Sequence, residues 1–309
     1  MKRTPIAPAD LAASVIAVPP LARAPDGSLS PTDNAAIIAH LGAGGVTSFM
    51  YGGNANFFHL TLGEFATALD LLTELVPDGA WLLPSIGPDF GKARDQLRLI
   101  RSHGFPTAML LPSAAPTTPE GIADGIRRLS DALAGPVVLY LKADRYVLPQ
   151  DVAALQSEGR IAAVKYAVVR ATPASDPYLA ELVALCGTDR LVSGIGERPV
   201  IAHWREFGLR AFTSGSVAVA PNASTMLHAS LRAGDFERAG ALRGLFLELE
   251  DLRDTHSPIR VLHAAVEAAG IARTGPLGPY LSNIGDPETL AAIAQAVRLL
   301  AEADGKLRA

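Results

Sequence analysis

Ile161-Ala162-Ala163-Val164-Lys165-Tyr166 is the stretch from which the fold is read. It is a short apolar run with β-branched residues, bounded upstream by Glu158-Gly159-Arg160. Such a run reads as a parallel strand buried on both faces. It then ends on a lysine. Burial penalises an ammonium ion and lowers its pKa, so a lysine at the carboxyl end of such a strand holds free amine near neutral pH. A free amine in a pocket attacks carbonyl carbons and forms a Schiff base. The ordinary alternative is a solvated lysine where the strand meets its loop, and the flanking chain decides between the two.

Downstream, a helix is expected over 177–186 and a strand over 191–193, followed by Gly194-Ile195-Gly196. A helix over 199–207, a strand over 209–213 and the loop Ser214-Gly215-Ser216 come next. Upstream, strands are expected at 15–18, 46–51, 81–83, 107–111 and 136–140. Helical segments separate them: one opened by Ser30-Pro31 with Ala35, Ile37, Ile38 and Leu41 on its apolar face, then 61–76, 91–103, 118–133 and 148–156. The result is eight strand–helix units, recurring every ~20–35 residues up to about residue 215. Alternating β and α elements with short loops imply a parallel sheet, and eight units close a (β/α)8 TIM barrel. The expected fold class is therefore α/β, with the barrel over 1–218. Helical patterns without strands at 223–232, 236–252, 259–269 and 288–303 make 219–309 a C-terminal helical appendage.

Composition narrows the function. The 309 residues are 49% hydrophobic and 19% charged, as in a compact globular chain rather than a disordered one. The net charge of −4, with no long basic run, argues against nucleic acid as a partner. The single cysteine, Cys186, excludes an internal disulfide and reads as a small core residue. No apolar run reaches the ~18 residues of a membrane span. Lys2-Arg3 and the run 11–18 imitate an export signal, but Pro5, Pro8 and Asp10 interrupt the approach and Pro19-Pro20 follow at once. A cytoplasmic protein with no membrane partner is expected. Gly42-Ala43-Gly44-Gly45 follows a helix, so it is no dinucleotide fingerprint. The seven histidines lack ligand spacing, although His256 and His263 would share a face of one helix. No metal and no cofactor are expected.

In a barrel of this kind the active site lies at the carboxyl ends of the strands. Lys165, Tyr140, Gly53, Asn54, Ser193, Gly194 and Gly196 all fall there. Tyr140 ends the strand before that of Lys165, where a phenol passes protons or binds a carboxylate. Arg145, five residues on, is a candidate for bidentate capture of a substrate carboxylate. His59 follows the strand-two loop and is a weaker candidate for the pocket.

These residues together resemble the dihydrodipicolinate synthase / N-acetylneuraminate lyase family of class I aldolases. Leu139-Tyr140 resembles the family's tyrosine after strand five, and Val164-Lys165 its Schiff-base lysine after strand six. Ser193-Gly194 resembles the strand-seven loop whose backbone lines the pocket, and Gly208 to Ser216 the strand-eight segment. Ser257-Pro258-Ile259 resembles the family's proline-containing helix start, and Arg145 the arginine that the synthase branch keeps for its second substrate. The resemblance implies that Lys165 binds pyruvate or another 2-keto acid while Tyr140 relays a proton. It also implies a homodimer or homotetramer. Three departures stand out. Gly52-Gly53-Asn54-Ala55-Asn56 replaces Gly-Thr-Thr-Gly-Glu, Pro112-Ser113-Ala114 replaces Pro-Tyr-Tyr, and Leu141 follows Tyr140 where asparagine is usual. A divergent lyase, acting on a carbon–carbon or carbon–oxygen bond, is therefore expected in preference to the lysine-biosynthetic enzyme. The alternative is a non-catalytic barrel that senses a 2-keto acid or sugar acid.

Overall fold

A computed structural model describes residues 1–307. The barrel comprises α1 (Pro8–Leu11), β1 (Ile16–Ala17), α2 (Pro31–Ala43), β2 (Ser48–Tyr51), α3 (Leu62–Leu75), β3 (Trp81–Ile86), α4 (Phe90–Ser102), β4 (Met109–Leu110), α5 (Pro119–Leu133), β5 (Val137–Leu141), α6 (Pro149–Ser157), β6 (Ile161–Tyr166), α7 (Pro177–Cys186), β7 (Leu191–Ser193), α8 (Val200–Phe207) and β8 (Thr213–Ser214). Five helices follow: α9 (Pro221–Ala233), α10 (Phe236–Gly244), α11 (Leu247–His256), α12 (Pro258–Ala268) and α13 (Pro287–Lys306).

The strands are parallel, in the order β7-β6-β5-β4-β3-β2-β1-β8. The seam between β7 and β8 is a single bridge, Ser193 to Phe212, with Ser193 N donating to Ala211 O at 3.0 Å. That completes a (β/α)8 barrel. Several strands differ in length from expectation because pairing, not apolar run length, sets their ends. β3 continues past Pro84: Trp81 to Pro84 pair with β2, and Ser85 and Ile86 are then taken up by β4. The eighth strand, expected over 209–213, is confined to Thr213–Ser214, where it meets Ile16 and Ala17. Residues 15–17, part of the run that imitates an export signal, are fully buried in the barrel. Among the described residues no helix is long and apolar enough to cross a membrane.

The helical region holds its own core around Ala223, Phe246, Leu249, Val261, Val297 and Leu300. The helix expected over 236–252 is two helices, broken between Gly244 and Leu247. Glycine weakens the helix there, and the break lets Phe246 bury completely in this second core. A further break at Ser257, which sits at a φ of 137°, places His256 and His263 on different helices, α11 and α12. Asp304 of α13 caps α9, accepting from Ala223 N and Asn222 Nδ2, each at 2.7 Å. Among the hydrogen bonds that tie the helices to the barrel are Thr225 Oγ1 to Gly44 O at 2.8 Å, Ser224 Oγ to Glu197 Oε1 at 2.7 Å, and His263 Nε2 to Asn54 O at 3.2 Å. Gly44 permits the docking, since a Cβ there would sit 2.3 Å from Pro221 Cβ.

Candidate active site

β5 and β6 pair so that Tyr140 lies beside Lys165. Neighbours in register point to the same face of the sheet, so both side chains face the barrel interior. Tyr166 points the other way, and its hydroxyl donates to Asp176 at 2.5 Å. Asp176 also accepts from Leu179 N at 3.1 Å, capping α7, and pairs with Arg170 at 3.0 Å. This outward peg fixes the end of β6 and so the direction of Lys165.

Lys165 is only 4% exposed, with Nζ 4.5 Å from the centroid of the Tyr140 ring. Among the described residues no carboxylate pairs with it. Burial pushes its pKa down to about 7, and the charges of Lys142 and Arg253 push in the same direction. Burial drives the Tyr140 phenol the opposite way, up to about 12, against the opposing charge of Arg253. At neutral pH the pair is thus a partly free amine beside a protonated phenol. Gly194 makes room for the lysine: a Cβ there would fall 2.8 Å from Lys165 Cγ and 2.7 Å from Tyr166 O.

A cavity of about 340 Å³ opens on this pair at the carboxyl ends of the strands. Gly53, Asn54, Gly194 and Gly196 line it with Lys165 and Tyr140. Asn54 Nδ2 donates to Val18 O at 2.8 Å, so part of its amide is already engaged. A second cavity, about 700 Å³, lies between the starts of α4 and α5 and includes neither Lys165 nor Tyr140.

Three expected residues lie outside the 340 Å³ cavity. Arg145 sits at a positive φ of 51°, is 48% exposed, and its guanidinium is held by Glu181 at 2.6 Å. Ser193 is buried on the outer side of β7, its Oγ 2.8 Å from His203 Nδ1. His59 is exposed and meets Tyr280 edge-on, with centroids 5.1 Å apart.

The cavity also gathers residues that the sequence reading did not single out: Lys142, His203, Glu250 and Arg253. Glu250 and Arg253 come from α11, three residues apart and so on one helix face. Glu250, 3% exposed, accepts from Glu197 N at 3.0 Å, and Glu197 is fully buried behind it. Burial, reinforced by the Glu197 charge, pushes Glu250 up to about 8, and burial raises Glu197 as well. Burial thus disfavours the charged form of both carboxyls. Burial lowers His203 to about 4, which keeps its ring neutral.

No family model matches the chain, and no curated protein matches it in sequence. Solved structures do match in shape. Dihydrodipicolinate synthase from Bacillus clausii superposes with a TM-score of 0.82 at 20% identity, over 94% of this chain and 98% of that one. A catalytic lysine mutant of Ruminococcus gnavus sialic acid aldolase gives 0.82 at 14% identity, over 96% and 98%. YagE of Escherichia coli K12, a dihydrodipicolinic acid synthase family protein in complex with pyruvate, gives 0.78 at 18% identity, over 93% and 98%. The chain shares their fold. The likeness takes in the appendage as well as the barrel, since it spans nearly the full length of each protein.

Proposed function

We propose that this protein is a class I, Schiff-base-forming lyase acting on pyruvate or another 2-keto acid, and a divergent member of the dihydrodipicolinate synthase / N-acetylneuraminate lyase family. The observation that carries the reading is the Lys165 amine, buried at the end of β6 with its pKa near 7 and packed against Tyr140. The free amine attacks the keto carbon and forms a C–N bond. The carbinolamine oxygen takes up a proton, which the Tyr140 phenol is positioned to deliver, and leaves as water to give the iminium. The iminium then accepts the electron pair of the adjacent C–H or C–C bond, generating an enamine; the reverse flow forms the bond. The activity is assigned outside lysine-biosynthetic synthesis. Residues 52–56 carry no hydroxyl, and Pro112-Ser113-Ala114 lacks the tyrosine of that branch.

The test is borohydride reduction in the presence of a panel of 2-keto acids, followed by peptide mass mapping. Adduct on Lys165 is expected, and its absence with every keto acid would sink the reading. Turnover of the same panel separates a lyase from a barrel that only binds its ligand. A homodimer or homotetramer is part of the proposal, and sedimentation velocity measures it.

A further inference from the structure

Besides Lys165, four cationic side chains line the cavity, and they are not equivalent. Arg170 is held by Asp144 and Asp176. Arg198 is held by Asp251 and Asp254. Lys142 is exposed at the rim. Arg253 is the one that reaches in from α11 and, among the described residues, makes no salt bridge. Its Nη1 donates to Ser216 Oγ at 3.1 Å. Nε is buried without an acceptor, and no described residue accepts from Nη2. Those two nitrogens form one edge of the guanidinium fork, the edge that matches the two oxygens of a carboxylate.

The surroundings are arranged to admit this side chain and leave it charged. A Cβ at position 215 would sit 2.8 Å from Arg253 Nη2, and one at position 196 would sit 2.2 Å from Glu250 Oε1. Glycines at both positions therefore make the space. Glu250, one turn earlier on α11, makes no salt bridge with the arginine, and burial disfavours its charged form. Beside it the loop at 52–56 supplies no hydroxyl, and Asn54, whose Nδ2 would also meet a Cβ at position 215, donates to Val18 O.

We infer that Arg253 is the carboxylate-binding residue of the site, gripping the substrate's carboxylate so that the adjacent keto carbon is presented to Lys165. The inference rests on the Schiff-base reading above. It identifies the substrate class as a ketone bearing an adjacent anionic group, and it makes α11 part of the active site.

The experiment measures borohydride trapping on Lys165 against concentration for two ketones, pyruvate and the uncharged hydroxyacetone. Wild type, Arg253→Gln and Arg253→Lys are compared. Removing the cation also alters the basicity of Lys165, but that acts on both ketones alike, so the quantity read is the ratio of their half-saturating concentrations. In Arg253→Gln the pyruvate half-point is expected to rise roughly 30-fold or more while that of hydroxyacetone moves less than about 3-fold. Arg253→Lys keeps a charge but loses the fork, and a rise of about 5-fold for pyruvate alone is expected. Hydroxyacetone trapping shows that a variant is folded, and if Arg253→Gln is not, the lysine variant decides. An unchanged pyruvate half-point, or an equal loss for both ketones, overturns the role of Arg253 and leaves the Schiff-base reading intact. Where another 2-keto acid of the panel is the one trapped, it replaces pyruvate in the comparison, and a wild type that traps no 2-keto acid overturns both readings.

Discussion

Burying an amine at the mouth of a barrel costs stability, and the cost should be recoverable by substituting Lys165. Its pKa falls from 10.5 to about 7 on folding. At ~1.36 kcal/mol per pKa unit, that depression corresponds to about 5 kcal/mol of destabilisation when the group is charged in both states. The sign follows from proton counting. Between about pH 7 and 10 the unfolded chain binds the proton and the folded chain does not, so stability rises with pH through that window. The cost is full below pH 7 and vanishes above the unfolded value. Lys165→Met, which fills similar volume without charge, should therefore be more stable than wild type by roughly 5 kcal/mol at about pH 6, but by only ~1.5 kcal/mol at about pH 9.5. Differences in packing shift both values equally, so the pH dependence of the gap is the test. Urea unfolding of both proteins at the two pH values measures it. A gap that is the same at both pH values would refute the claim that Lys165 is held away from its ordinary pKa by the fold.

The trapping rate of pyruvate should climb with pH and level off above about 7 to 8, because only the free amine attacks; a flat profile from about pH 5 to 9 would count against the assigned nucleophile. Tyr140→Phe should leave borohydride labelling of Lys165 possible while slowing turnover about 100-fold, and rapid turnover in that variant would remove the phenol from the proton path. Gly194→Ala should destabilise the protein by about 1–3 kcal/mol and weaken trapping, since its Cβ meets both Lys165 Cγ and Tyr166 O; thermal melts and labelling check it. Burial raises the Asp176 carboxyl, but Arg170, Tyr166 and Leu179 N–H outweigh it and hold the group below its ordinary range. That stabilisation is present above about pH 4 and is lost as pH falls through the folded value, so Asp176→Asn should flatten the acid limb of an unfolding curve.

The lysine–tyrosine pair was legible because it depends on local rules: a buried run ends, the strand's last side chain points into the mouth, and the neighbouring strand ends in the same place. The outward position of Ser193 follows from the same rules. Tyr166 lies beside Ser193 and Lys165 beside Val192, so in the period-two pattern Ser193 faces outward with Tyr166. Arg145 was not decidable in this way. Five residues past Tyr140 the backbone turns through positive φ, and Glu181 on a later helix captures the guanidinium. Spacing along a loop carries no direction. Glu250 and Arg253 were further out of reach, because Glu248, Glu250, Asp251, Arg253 and Asp254 read together as the charged face of a surface helix. Only the break before Leu247 and the docking of α11 over β7 and β8 distinguish two of these residues from their solvated neighbours.

The docking of those helices has a consequence for the chemistry inside the barrel. The Arg253 charge lowers the pKa of Lys165, adding to the effect of burial, and lowers that of Tyr140, where burial acts the other way. One cation thus moves the amine towards neutrality and restrains the phenol from drifting beyond use as an acid. A barrel stripped of its appendage would keep burial and the Lys142 charge acting on Lys165, and burial alone acting on Tyr140. The bonds from Glu197 N to Glu250 and from Arg253 to Ser216 therefore do more than attach a helix to a finished domain. They hold α11 at the strand ends, and with it a charge that favours the free amine and opposes the burial-driven rise of the phenol.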